Sequence, residues 1–161
     1  MTDAAPFDPK YVSLLWAAPE QAGEIASIHS QLFSPAWSEE SVRSLLDHPA
    51  STAFLAVLGG QPKTTVGFVM AQLAADEAEI LSVGVLPEWQ RKGVGRRLID
   101  GVARAVQRAE AKTLFLEVAA DNDAAIELYT RAGFLGTGLR RGYYERPGQP
   151  PVDAVTLALK L

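Results

Sequence analysis

Three features of the chain predict a mixed α/β (α+β) domain with a mixed central sheet and one parallel crossover. Apolar strand-like runs at Thr52–Leu58, Thr64–Leu73 and Ala78–Val85 follow one another with only short polar breaks, which favours antiparallel pairing. The period then becomes helical: Val94, Leu98, Val102 and Val106 recur every four residues, with Arg96, Arg97, Asp100, Arg104 and Arg108 on the other face. A further apolar run, Thr113–Ala119, follows that amphipathic helix, as expected of a strand that crosses over to lie parallel to an earlier one.

The other elements follow from local chemistry, taken in chain order. Residues 1–10 are expected to be a loosely ordered start. Tyr11–Trp16 is a short apolar run suited to an edge or first strand. Glu20–Phe33 carries Ile25, Ile28 and Leu32 at helical spacing, with Pro19 where a first helical turn tolerates it. Pro35-Ala36-Trp37 breaks that helix. Ser38 then caps a second helix running to Leu46, whose first turn holds the favourable charges of Glu39 and Glu40. Gly59-Gly60-Gln61-Pro62 reads as a turn. Asp121-Asn122-Asp123 offers capping side chains for a helix from Ala124 to Ala132, ended by Gly133. Phe134 onward and Val152–Leu159 form a closing pair of strands joined by a Pro/Gly-rich loop. The predicted order is β-α-α-β-β-β-α-β-α-β-β in a single domain over residues 1–161.

Bulk properties narrow the function classes. With 161 residues and 48% hydrophobic content, one domain can bury a sizeable core. A formal net charge of −4 argues against general nucleic-acid binding. No apolar run approaches the ~20 residues of a membrane span, and the acidic start lacks the pattern of a secretory signal. The absence of cysteine excludes disulfides, thiolate metal sites and cysteine nucleophiles. His29 and His48 stand in no ligand spacing, so no metal is expected. These properties fit a cytoplasmic setting.

The stretch from Val83 to Leu98 is the most specific. A strand ending at Val85 leads into Gln90-Arg91-Lys92-Gly93-Val94-Gly95, which opens directly into the amphipathic helix. Six of the fifteen Lys and Arg residues fall between Arg91 and Arg108, a local positive feature on an acidic protein. A turn of this kind presents unpaired N–H groups and the positive end of a helix dipole, an anion site. The bland alternative is a glycine-softened helix start with solvated arginines. Neither the Gly-x-x-x-x-Gly-Lys-Ser/Thr nor the Gly-x-Gly-x-x-Gly phosphate pattern is present.

The turn does fit the Gln/Arg-x-x-Gly-x-Gly/Ala signature, and in this position between strand and helix it resembles the GNAT superfamily of N-acetyltransferases. That resemblance implies acetyl-CoA as co-substrate, with Gln90, Arg91, Lys92, Gly93, Val94, Gly95 and Arg96 lining the pyrophosphate site. It implies that Val83 and Val85 bind the pantetheine arm, and that the Val85 N–H polarises the thioester carbonyl and holds the oxyanion. Pro35-Ala36-Trp37-Ser38-Glu39, Leu116-Glu117-Val118, Asn122 to Tyr129, Gly133-Phe134 and Arg140-Arg141-Gly142-Tyr143-Tyr144 are similar to the RimI-type branch. Members of that branch modify the N-terminal alanine of small-subunit ribosomal protein eighteen. Ser82-Val83-Gly84 departs from the more usual Asn-Ile-Ala, and a longer Pro-rich stretch follows Arg146.

Each remaining candidate has a structural and a functional reading. Glu117 is either a strand-end carboxylate facing water or the general base that takes a proton from the attacking amine. Tyr129, sharing a helix face with Ala125, Leu128 and Ala132, is either a core tyrosine or the acid that protonates the departing thiolate. Asn122 is a helix cap, and the resemblance adds a contact to the CoA arm. Trp37, Tyr143 and Tyr144 are edge aromatics that by resemblance frame the acceptor peptide. The expected acceptor is a protein N-terminal α-amine, with a ribosomal protein as partner, no nucleic acid or membrane, and a monomer or weak dimer as the working form. A small-molecule amine as acceptor, or a non-catalytic acyl-CoA sensor, are the rival readings.

Overall fold

The computed structural model describes residues 8–59 and 62–161. Gly60 and Gln61 of the expected turn, and residues 1–7 of the expected loose start, lie outside the described residues. Pro9–Tyr11 forms a single 3-10 turn immediately before the first strand.

The element order matches the prediction. Strand β1 (Val12–Trp16) precedes α1 (Ala22–Leu32) and α2 (Glu39–Asp47), followed by β2 (Ser51–Leu58), β3 (Thr64–Ala74) and β4 (Glu77–Val85). Helix α3 (Val94–Arg108), β5 (Thr113–Ala119), α4 (Asp123–Arg131), β6 (Leu135–Arg146) and β7 (Gln149–Lys160) complete the chain. The seven strands form one sheet in the order β1-β2-β3-β4-β5-β7-β6. All pairings are antiparallel except β4 with β5, where α3 makes the crossover.

Two local expectations are corrected. The first helix does not begin at Glu20: Pro19–Gln21 forms a 3-10 turn, and α-helical geometry starts at Ala22. The Pro/Gly-rich loop is also shorter than expected. Arg146 pairs with Gln149, so only Pro147 and Gly148 turn the chain, with Gly148 at φ +73°, and Pro150 and Pro151 lie inside β7. Two donorless residues are tolerated there because β5 joins β7 only from Ala154 onward, which leaves the earlier part of β7 with one neighbour.

The sheet is covered on both faces, which is why its central strands read as unbroken apolar runs. Alternate residues of β2 serve opposite cores. Leu55 and Val57 join Ile25, Ile28 and Val42 of α1 and α2, whereas Phe54 and Ala56 join Leu98, Val102 and Val106 of α3. Helix α2 starts where expected, with the Ser38 hydroxyl accepting from the Ser41 N–H at 3.1 Å.

The feature that positions the site is a split in the sheet. Strands β4 and β5 pair only at Glu77–Glu79 with Thr113–Phe115 and then diverge. Along the β3 border, Met70 faces Ser82 while Ala71 faces Ile80, so Leu81 is an extra, bulged residue. A bulge bends and twists its strand, and this one sits where β4 leaves β5.

Candidate active site

Beyond the split, β4 offers its backbone to a cleft. The Leu86 N–H donates to the Val66 carbonyl across the β3 border at 2.8 Å. Because N–H directions alternate along a strand, those of Val85 and Val83 point the opposite way, towards the side that β5 has vacated. The Val85 carbonyl is held from that side by Gln90 Nε2 at 2.9 Å. The cleft has a volume of about 390 Å³ and runs from the α3 turn to Asn122 and Tyr129 of α4.

The turn at the cleft mouth is built for backbone presentation. Gly93 is the N-cap of α3 in the left-handed region (φ +87°), and no side chain caps the first turn. Its N–H groups are therefore open to an anion. A Cβ at Gly93 would lie 2.9 Å from Pro9 Cγ, so the glycine is required by space as well as by φ. Arg91 is also left-handed at φ +60°. Gln90, Arg91, Gly93, Gly95 and Arg96 line the cleft. Arg96 is at the same time tied to Asp100 by its Nε (3.0 Å) and to the Arg131 carbonyl by Nη1 (3.2 Å). Lys92 is exposed at the rim, and the Val94 side chain is buried in the core, leaving only its backbone for binding.

At the other end the lining comes from Asn122 and α4, while Glu117 of β5 and Tyr143 and Tyr144 of β6 stand outside the lining. The Asn122 side chain caps α4 by accepting from the Ala125 N–H at 3.2 Å, and it also lines the cleft. Tyr129 is buried against Phe134 with ring centroids 5.8 Å apart, yet it too reaches the cleft wall. Burial, and secondarily the neighbouring Tyr144, push its phenol up to about 12, so it is a neutral donor at physiological pH. Tyr144 is likewise raised, first by burial and then by the charge of Glu117. These couplings place Glu117, Tyr144 and Tyr129 in one electrostatic neighbourhood.

Glu117 does not stand alone among apolar neighbours. Its Oε1 receives a charge-assisted bond from Arg140 Nε at 3.0 Å, and the guanidinium lies 5.3 Å from the Tyr143 ring centre. Tyr143 meets Tyr144 edge-on at 5.1 Å. Strand β6 swings outward here, because Arg140 faces Ala154 while Tyr144 faces Val152. Gly142 turns the bulge at φ +60°, and its N–H donates to Asp153 Oδ1 at 2.8 Å. Below it, Arg146 clasps Asp121 with both terminal nitrogens, pinning the hairpin to the β5–α4 connection.

Trp37 sits apart from the cleft lining. It stacks on His29 at 4.6 Å, and its backbone N–H donates to His29 Nδ1 at 3.1 Å. His29 is thus a core acceptor, and burial holds it below the ordinary histidine value. Sequence reasoning missed the opposite cleft wall, Leu32 at the end of α1 and the Phe33 that follows it. The available signal was Gly84: a Cβ there would lie 2.7 Å from Leu32 Cδ1, so the glycine admits α1 to the site. It also missed Arg140 as the partner of Glu117. No group of metal-ligating side chains occurs among the described residues.

Comparison with known proteins agrees with this geometry. The Acetyltransferase (GNAT) family model matches residues 22–134. The chain is 38% identical over 94 residues to the ribosomal protein bS18-alanine N-acetyltransferase of Salmonella typhimurium. That match covers 58% of this chain and spans 63% of the relative's length. The N-alpha-acetyltransferase RimI of Mycobacterium tuberculosis is 34% identical over 142 residues, 84% of each chain. The crystal structure of the ribosomal-protein-S18-alanine N-acetyltransferase from Escherichia coli superposes with a TM-score of 0.83 at 28% identity, over 92% of this chain and 93% of that one. The family match runs from α1 through α4, taking in the split, the turn, Glu117 and Tyr129, and the chain therefore belongs to the GNAT family of acetyltransferases.

Proposed function

We propose that the protein transfers an acetyl group from acetyl-CoA to a protein N-terminal α-amine, with the N-terminal alanine of ribosomal protein bS18 as the acceptor. The observation that carries this reading is the split between β4 and β5. It joins a backbone anion site at one end of a single cleft to Tyr129 at the other, and Tyr144 links Tyr129 electrostatically to Glu117. The residues fit such a co-substrate: uncapped N–H groups at α3 suit a pyrophosphate, and the free edge of β4 suits an amide-containing arm. When bound, acetyl-CoA supplies an activated thioester carbonyl.

The chain's own groups then have distinct work. The Val85 N–H donates to the carbonyl oxygen as negative charge develops there. The Glu117 carboxylate, directly or through a water, accepts a proton from the acceptor ammonium, which arrives largely protonated at neutral pH (ordinary pKa ~8). The amine nitrogen bonds to the carbonyl carbon as the carbon–sulfur bond breaks, the Tyr129 phenol gives its proton to the leaving thiolate, and the second proton released by the nitrogen returns to that phenolate directly or through a water. Transfer is direct, in a ternary complex, since there is no cysteine to carry the acetyl group. Trp37, Tyr143 and Tyr144 frame the acceptor. We place this activity in the cytoplasm, in a monomer or weak dimer.

Mass spectrometry of ribosomal proteins from cells with and without the gene tests the acceptor: the N-terminal acetyl of bS18 should disappear with the gene. Purified protein should acetylate an alanine-starting bS18 peptide in preference to a panel of polyamines, amino acids and amino sugars. Faster turnover on a small amine would overturn the acceptor while leaving acetyl transfer intact. Binding of CoA with no amine acetylated would overturn the activity itself.

A further inference from the structure

The molecule carries a second groove, at the far edge of the sheet from β5–β7. It lies between the edge of β1, unpaired among the described residues, and the C-terminal half of α3, with a volume of about 420 Å³, comparable to the cleft at the β4/β5 split. Leu14, Phe54 and Ala105 form its floor, Trp16 one wall, and Arg104 and Arg108 the rim.

Three properties set this groove apart from ordinary surface. The first is apolar exposure: Trp16 is 66% exposed although it belongs to a strand. Trp16 is braced rather than loose, its ring 4.4 Å from that of Phe54. The second is an open backbone edge. The Ala17 N–H bonds to the Ala53 carbonyl on the β2 side, so by alternation Leu14 and Trp16 turn both their N–H and C=O groups outward. Natural edges are commonly blunted. Here the blunting stops at Val12, whose carbonyl accepts from Arg97 Nε at 2.9 Å. The third is charge. Arg104 and Arg108 stand together at the groove rim, both exposed, and neither has a carboxylate partner among the described residues.

We propose that this groove docks an extended, acidic segment of a partner protein, which adds a strand to β1 at Leu14–Trp16 and lays an apolar side chain against Trp16. Main-chain bonds supply the pairing, the floor takes alternate side chains, and carboxylates meet Arg104 and Arg108. Charge also decides against a second copy of this chain: two-fold pairing along β1 would bring two sets of unpaired guanidinium groups together. The site lies at the β1 border of the sheet, away from β5 and α4, which carry Glu117 and Tyr129, so occupancy leaves acetyl transfer open. It would tether the enzyme to its target or its assembly.

The test uses the full-length protein labelled with nitrogen-15 and a blocked peptide in which glutamate alternates with leucine and valine. Titration should shift the amide signals of Leu14, Trp16, Arg104 and Arg108. Arg104→Glu together with Arg108→Glu should weaken binding at least tenfold, and Trp16→Ala should weaken it similarly. Acetyl-transfer kcat/KM should stay within about twofold of wild type in each variant. The charge-reversed variant keeps α3 exposed positions polar, so its folding is checked by its own spectrum and activity. No shift at millimolar peptide would overturn the proposal. So would equal affinity for the same peptide carrying lysine, tighter binding of a single-stranded oligonucleotide, or self-association through these residues in sedimentation.

Discussion

The two flanks of the β4/β5 split contrast in what they present to the cleft. On the β4 flank the groups are mainly backbone: the outward N–H groups of Val83 and Val85 and the uncapped first turn of α3. The side chains of Val94 and Gly84 matter there for packing or for being absent. On the β5 flank the groups are side chains: Glu117 in its pair with Arg140, Tyr129 in its buried seat, and Tyr143 with Tyr144 on a bulged strand. A backbone site tolerates changes of side chain as long as the strand path and the left-handed turn survive. A side-chain site changes its chemistry with every substitution. In the proposed reaction the end that binds acetyl-CoA is accordingly the part tied to the fold, and the end proposed for the acceptor is the part free to specialise.

Perturbing each flank should give opposite kinetic signatures, and the largest effect is expected on the side-chain flank. Glu117→Gln should lower kcat by about a hundredfold to ten-thousandfold while CoA affinity, measured calorimetrically, stays near wild type. Unchanged turnover would remove Glu117 from the reaction. Tyr129→Phe should lower kcat by roughly tenfold to a hundredfold without raising the acetyl-CoA KM. Because the folded phenol titrates at about 12 against an ordinary 10.0, its neutral form stabilises the protein fully below pH 10, and that contribution is lost as pH rises through 12. Alkaline titration followed by tyrosinate absorbance should therefore show one tyrosine late, missing in the Tyr129→Phe variant.

On the backbone flank the effects fall on binding and are smaller. Reversing charge at Arg91 and Lys92 should raise the acetyl-CoA KM roughly tenfold with kcat nearly unchanged, the loss expected for hydrogen bonds to a charged ligand. Gly93→Val forces a branched side chain into φ +87° against Pro9, and should cost on the order of 1–3 kcal/mol in denaturant unfolding. Smallest of all, Val83→Ile should leave the acetyl-CoA KM within about twofold, since its N–H rather than its side chain faces the arm. A large effect of that substitution would break the division between the flanks.

Much of this was legible in the chain before any coordinates. The four-residue recurrence of Val94, Leu98, Val102 and Val106, the Ser38 and Asn122 caps and the turn from Gln90 to Gly95 are local patterns. They depend on residues within one or two turns of each other, and the structure has them where the pattern puts them. Periodicity, capping and turn chemistry thus determined the elements and their order, and the resemblance of the Gln90–Gly95 turn to a known signature pointed to the family. Only the tertiary structure decided the rest. The Leu81 bulge shows no compositional mark, since its extra residue becomes visible only against the register of β3. Arg140 and Glu117 are joined through β7, which separates their strands in the sheet. Trp16 is left exposed because β1 has no outer neighbour among the described residues. These are long-range pairings, set by how whole strands and helices pack, and no short stretch of sequence contains both partners.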